Sequence, residues 1–473
     1  MFKVKKLLCV LLSSALLIGF TACDDSGKTP AGGSDVSSGA TTKSETTKSD
    51  ATVKTDESTK AEVETTEDPI TLTFWVSEAL VGPSEKKLPQ EEWYLSQAIN
   101  RFKEKHPNVT IEFTLLNDSA QTPQLLKAGI LAGTAPDMAS LWTGNNILSI
   151  KDILLPLNDY LPDDVRQHIG GWESVSENFD SDGMAYGLPF ATQDLSFLYY
   201  NKKLIADAGL DFENNPPRTM EEFYEAMDKI KDTGIVPIST DEASGHNVLY
   251  FLFTYWWVQQ TGIDGITSSN ESRTKFADDE GLLQTLAAFR DLYSNGYMNE
   301  DALSADDAVS RFMQGSAAMH PSGTWRLDEF LEALGDDLGV IKPPNMDVSG
   351  LHYDNGLIGG PGEGMVVCNS TKYPEMAVEF LSFLASKEEF IEFYKIYTRI
   401  PNRNDIGEED LDLNNHITPL LFDWAGDAIF FVDNMVEINA MQELARLSQD
   451  VLVGKMEPKA CAEAMDRIVE DNL

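Results

Sequence analysis

Cysteine is scarce in this chain, and positive charge is scarcer still relative to negative. Only four of 473 residues are cysteine, at positions 9, 23, 368 and 461. Beyond residue 68 only Cys368 and Cys461 remain, which excludes a disulfide framework and a four-cysteine zinc site. The six histidines (106, 168, 246, 320, 352 and 416) are scattered without ligand spacing. There is no His-Glu-x-x-His, no Gly-x-Ser-x-Gly and no phosphate loop ending in Gly-Lys-Ser/Thr. No metal, no cofactor and no catalytic residue is therefore expected. Lys and Arg total 36 against 77 Asp and Glu, a formal charge of −41. That balance excludes a nucleic-acid backbone as partner and argues against docking on anionic lipid through the folded surface. Leu7 to Phe20 is the one long apolar run, and it is short of the roughly 20 residues an ordinary transmembrane helix needs.

What is present is a packed chain, 42% hydrophobic and 10% aromatic, too long for one core. The amino terminus reads as a targeting segment. Lys3, Lys5 and Lys6 precede the apolar run, and Thr21-Ala22 precede Cys23. Phe20-Thr-Ala-Cys23 resembles a bacterial lipobox, which implies cleavage before Cys23 and lipidation of its sulfur. Residues 24–68 are polar, without an aromatic side chain, and cannot bury enough apolar surface to fold. They read as a tether with a root-mean-square reach of roughly 35–40 Å. The globular part, 69–473, carries a net charge of −38.

Ile70 to Val76 alternates at the strand period, a helical pattern runs from Trp93 to Phe102, and Val109 to Phe113 alternates again. This is a β-α-β unit with a parallel crossover. Another helix spans 121–132, and a third strand lies within 136–142. Asp182-Gly183 marks a hairpin turn, Thr219 to Glu222 a capping box, and 244–260 a helix buried nearly all round and stopped by Gly262. The last hundred residues are mostly helical.

Five segments, in order, resemble the maltose-binding-protein type of extracellular solute-binding lipoprotein, the substrate receptors of ABC sugar importers. They are Phe102 to Ile111; Leu131 to Asp137 followed by Trp142; Tyr186 to Pro189 through Leu198 to Lys202; Phe312 to Met319 with Ser322-Gly-Thr-Trp325; and Met376 to Ser386 with Ile400 to Arg403. The resemblance implies an α/β, two-lobe, periplasmic-binding-protein-like fold with three interlobe crossings and a ligand cleft. The crossings are expected near 186–190, 340–344 and 383–388. The implied division is 1–22 signal peptide, 23–68 lipidated cysteine and tether, 69–188 plus 343–384 amino-terminal lobe, and 189–342 plus 385–473 carboxy-terminal lobe.

The resemblance further implies a non-enzymatic receptor, a monomer held by its lipid anchor on the outer face of a bacterial membrane. It would capture a carbohydrate in the cleft and pass it to membrane permease subunits. A sugar needs flat apolar faces and hydrogen-bonding carboxyl or amide groups. The candidate ligand contacts are Glu78, Trp142, Asp194, Trp325, Glu363 and Arg399. Arg399 is equally an ion-pair partner for an acid. Trp256-Trp257 and Phe430-Phe431 stand as core or cleft residues. A surface glycoside hydrolase, a non-transporting polysaccharide scaffold and a receptor for a non-sugar solute such as a polyamine are the alternatives.

Overall fold

The computed structural model describes residues 68–472, apart from 78–79, 82–84, 117–120, 178–179, 181, 191, 245, 347 and 414. The targeting segment, Cys23, the tether and Glu78 lie outside the described residues.

Twelve strands are described: β1 (Ile70–Val76), β2 (Val109–Leu115), β3 (Met138–Trp142), β4 (Leu188–Pro189), β5 (Thr192–Asn201), β6 (Val236–Ile238), β7 (Ala317–Gly323), β8 (Leu338–Ile341), β9 (Leu357–Gly360), β10 (Glu363–Val367), β11 (Ile400–Pro401) and β12 (Ala428–Ile429). They form two sheets. The first runs β2-β1-β3-β10-β4, and the second runs β12-β9-β5-β7-β6 with β8 and β11 also paired to β5. β1 pairs in parallel with β2 and with β3. The helix Tyr94–Lys105 makes the first crossover, burying Tyr94, Leu95, Ala98 and Phe102. The two-lobe α/β expectation holds, with a hydrophobic core on each face of each sheet.

β4 ends at Pro189 in the first sheet and β5 begins at Thr192 in the second, so the chain first changes sheets near Phe190. The second change of sheet lies beyond 340–344. β8 ends at Ile341, within the segment where the family resemblance implies a departure from the lobe. Yet β9 returns to pair with β5, and the chain changes sheets only at Pro361-Gly362. Glycine is what makes this pairing possible. A Cβ on Gly359 would lie 2.7 Å from the Asp194 carbonyl oxygen, and Gly360 has φ +129°. Only glycine lets β9 lie so close to β5. The third crossing is also later than expected. The helix Lys387–Tyr394 sends Phe390, Phe393 and Tyr394 into the core of the first lobe; the chain then touches β5 through Ile400-Pro401, packs Ile406 and Leu411 back on the first lobe, and joins the second lobe only at Ile417. Asn402 ties this crossing to the first, donating from Nδ2 to the carbonyls of Gly170 (2.9 Å) and Phe190 (3.2 Å).

The segment 244–260 is not one regular helix. A π-helical turn spans Leu249–Phe253, and a helix continues through Thr254–Asn270. Gly262, at φ +72° and ψ 160°, is non-helical and divides this stretch into two helices, so the first of them stops at Gly262 as expected; a Cβ there would also meet the His352 ring at 2.8 Å. Among the described residues no helix is long and apolar enough to cross a membrane.

Candidate ligand site

The first sheet brings three strand ends together. Trp142 closes β3 directly opposite Glu363, which opens β10. Trp142 is 41% exposed, which a core tryptophan would not be. The loop after it is fixed by the opposite lobe. Gly144 (φ +65°) lies so close to the Asn434 carbonyl that a Cβ would come within 2.2 Å, and Asn145 donates to the carbonyls of Met435 and Val436. At the end of β1, the Ser77 amide donates to Ser140 Oγ at 2.7 Å. The Ser77 side chain also hydrogen-bonds Glu363.

Glu363 is 8% exposed, and its Oε2 has no protein partner. Burial pushes its carboxyl up to about 8; the Ser77 bond opposes this, and the nearby charge of Asp194 adds to it. Asp194, third residue of β5, reaches this place from the second sheet. Its Oδ1 accepts from Thr324 Oγ1 at 3.0 Å, and its Oδ2 lies beside Gly362, where a Cβ would approach it to 2.8 Å. Burial raises the Asp194 carboxyl, opposed by the charge of Arg399 and by the Thr324 hydroxyl. Arg399 itself is committed to structure. Its Nη1 donates to the carbonyls of Thr324 (3.2 Å) and Thr398 (2.8 Å) and stands 3.7 Å from Asp328. Of the two roles its sequence position left open, these contacts are those of the ion-pair partner.

Trp325 follows Thr324 and lies over Gly323, where a Cβ would fall 2.2 Å from its ring. It begins an aromatic row: Trp325 to Phe251 at 5.2 Å between centroids, Phe251 to Tyr250 at 6.5 Å, and Tyr250 to His246 at 5.3 Å. Sequence reasoning missed Tyr250, Phe251 and His246, because the apolar run around them reads as uniformly buried. The π-helical turn leaves Tyr250 and Phe251 half-buried while Leu249, Leu252 and Phe253 are fully covered. His246 has φ +47° and an unpartnered Nδ1. For a bulky residue this backbone state is costly and is a mark of functional sites. Tyr250 senses the charges of Asp433 and Glu242. Asp433 has an unpartnered Oδ1, and burial pushes it up to about 7. Glu242 is also raised to about 7 by burial, but it is held by Thr240 and by the amides of Val248 (2.8 Å) and Leu249 (3.3 Å).

The contacts therefore link into one region where the sheets meet. Trp325, Asp194, Glu363 and Trp142 are brought together, and Asp433, Tyr250 and Phe251 join them. Trp256 and Trp257 are not part of it. Both are 0% exposed, and their indole N–H groups donate to the Pro344 carbonyl and to Asp279. Phe431 is buried, whereas Phe430 is half-buried. Two cavities open elsewhere, one of about 650 Å³ beside Lys202, Arg218 and Trp424 and one of about 1050 Å³ beside Tyr394 and Asp410. None of the sequence-predicted site residues lines either.

Comparison with known proteins agrees with this architecture. The profile of the bacterial extracellular solute-binding protein family matches residues 97–415. The chain belongs to that family. It is 26% identical over 337 residues to the arabinooligosaccharide-binding protein of Halalkalibacterium halodurans, covering 65% of this chain and 67% of that one. It is 26% identical over 242 residues to the maltodextrin-binding protein MdxE of Bacillus subtilis, covering 50% and 54%. Among solved structures, a chitin oligosaccharide binding protein shares the fold with a TM-score of 0.74 at 23% identity, over 86% of this chain and 99% of the other. The two curated relatives are thus named for binding oligosaccharide and maltodextrin, and the solved structure shares the fold of this solute-binding protein.

Proposed function

We propose that this solute-binding protein captures a carbohydrate between its lobes and delivers it to an ABC permease, performing no chemistry of its own. One observation carries the reading: the half-buried aromatic row of Trp325 and Phe251 continues to Tyr250, which senses the charge of Asp433, a carboxyl group that retains an unpartnered oxygen. Flat apolar faces match the C–H face of a pyranose, and the open oxygens match its hydroxyls. The names of the relatives support the same ligand class. Trp142, Asp194, Trp325 and Glu363 are the contacts, joined by Tyr250, Phe251, His246 and Asp433. Glu78, two residues beyond β1, is retained as a contact on its sequence position alone. Thermal-shift screening across mono- and oligosaccharides tests the reading. A bound glycan raises the melting temperature in proportion to RT ln(1+[L]/Kd), and no shift with any glycan contradicts it.

Capture requires closure, because a ligand stabilises the closed state only through contacts it makes with both lobes. The site draws on β3 and β10 from one lobe and on β5 and Trp325 from the other. Small-angle scattering should therefore show a smaller radius of gyration at saturating glycan than without it. An unchanged curve at saturation would indicate a rigid adhesin.

The same proposal holds the protein to the membrane as a monomer through lipidated Cys23. Two or more acyl chains give stable anchoring where one is marginal. Cys23→Ala should move the protein from the membrane fraction to the soluble fraction. Retention of the variant on the membrane would refute the anchor.

A further inference from the structure

Just beyond Trp142 the two lobes bond to each other directly. Asn145, in the turn after β3, donates from Nδ2 to the carbonyls of Met435 (2.6 Å) and Val436 (3.0 Å). Asn146 donates from Nδ2 to Asn434 Oδ1 at 3.3 Å, and Asn434 returns a longer bond from its own Nδ2 to Thr143 Oγ1 at 3.4 Å. Between them Gly144 has φ +65°, and a Cβ there would collide with the Asn434 carbonyl oxygen. Glycine lets the turn and the segment 434–436 approach this closely. Each half is held by its own lobe. On the first, the Gly144 amide donates to the Ser174 carbonyl at 2.7 Å, and Ile147 is fully buried. On the second, Val432 and Val436 are fully buried, and Asn270 Oδ1 accepts from the Glu437 amide at 2.6 Å. Thr143 Oγ1 donates to the Pro361 carbonyl at 2.7 Å, which ties the turn to the second crossing.

We infer that Gly144 and Asn145 form a latch that holds the lobes closed, and that it breaks and re-forms as the cleft opens and shuts. The bonds across the lobes come from side-chain amides, and water replaces such partners at little net cost. Two surfaces that keep their own shape and meet through bonds of this kind separate without unfolding either lobe. Asn145 is therefore a positioning residue. It acts on the closing equilibrium, and so on the fraction of protein in which Trp142 and Glu363 stand against Asp194 and Trp325. Apparent affinity scales with that fraction. The inference rests on the closure proposed above and not on the ligand being a sugar.

The test uses two variants of the full-length protein. Asn145→Ala removes the donor, and Asn145→Asp keeps its shape but turns a carboxylate toward two carbonyls. Closing should become about 5- to 10-fold less favourable in Asn145→Ala, and less favourable still in Asn145→Asp. Small-angle scattering without ligand should then give both variants a larger radius of gyration than the parent, with melting temperatures close to the parent's. Calorimetry with a panel of neutral mono- and oligosaccharides should show the same factor of lost affinity for every glycan that binds the parent, whereas a residue touching the ligand would discriminate among them. A parent-like radius of gyration in both variants overturns the latch. So does a lowered melting temperature with an unchanged radius, which makes the contact a fixed part of the hinge. The scattering shift without heat from any glycan overturns the carbohydrate reading and leaves the latch standing.

Discussion

Trp325→Ala should lose on the order of 1–3 kcal/mol of glycan affinity, roughly 5- to 150-fold in Kd, while its unliganded melting temperature changes little. The indole lies over Gly323 and beside Phe251 and is only half-buried. Removing it opens a face to water rather than an enclosed void, so the cavity penalty is small. Trp256 supplies the internal comparison. It is fully buried and bonds the Pro344 carbonyl, so Trp256→Ala should cost about 3–5 kcal/mol of stability. Calorimetry paired with thermal melting separates the two cases. A large melting loss with normal affinity in Trp325→Ala would assign that ring to the core and remove it from the site.

The unliganded protein should lose stability as the pH rises from about 4.5 to about 8, and Glu363 should account for a substantial part of the loss. Its carboxyl titrates near its ordinary value in the unfolded chain but only at about 8 in the folded one. The folded state therefore holds the proton more tightly. Its contribution is fully present below the unfolded value, declines across the interval and is constant above it. For a buried group shifted this far the change is on the order of 2–5 kcal/mol. Asp433 and Glu242, both raised to about 7, act in the same direction. Glu363→Gln keeps the shape and hydrogen-bonding capacity of the protonated acid without an ionisable proton. Its melting temperature should fall less between pH 5 and pH 8 than that of the parent protein. Identical slopes in the two proteins would mean that Glu363 is hydrated and ordinary.

The parts of the fold that sequence reveals are those where local pattern and tertiary structure agree. Ile70 to Val76 and Val109 to Leu115 alternate because one face of each is packed, and Tyr94 to Lys105 has a single apolar stripe. Thr219 behaves as a helix cap should, its Oγ1 accepting from the Glu222 amide at 3.2 Å. The errors arise where one residue type has two physical uses. Glycine at 359 and 360 serves close strand approach rather than a loop, which displaces the second crossing by about one strand. Pro343-Pro344 ends a strand without changing lobes. The amphipathic helix Lys387–Tyr394 packs back on the first lobe, and nothing in its own sequence says which core it joins.

The site shows the same division. Trp142 and Trp325 were legible because each ends a segment beside a polar or glycine-containing turn. Asp194 and Glu363 were legible through the family resemblance and not through their spacing, since they lie 169 positions apart and meet only across the sheet junction. Tyr250 and Phe251 were hidden inside an apolar run, and the π-helical turn that leaves them half-buried has no signal in periodicity. Asp433 looked like one acid among 77. Its unpartnered oxygen is a tertiary property.

The central claim, capture of a carbohydrate between the lobes, is tested most directly by calorimetric titration of the full-length protein with a panel of neutral mono- and oligosaccharides. The account predicts saturable binding of at least one glycan at micromolar Kd or tighter. Heats indistinguishable from dilution for every glycan, with saturable binding of a polyamine in the same buffer, would contradict it.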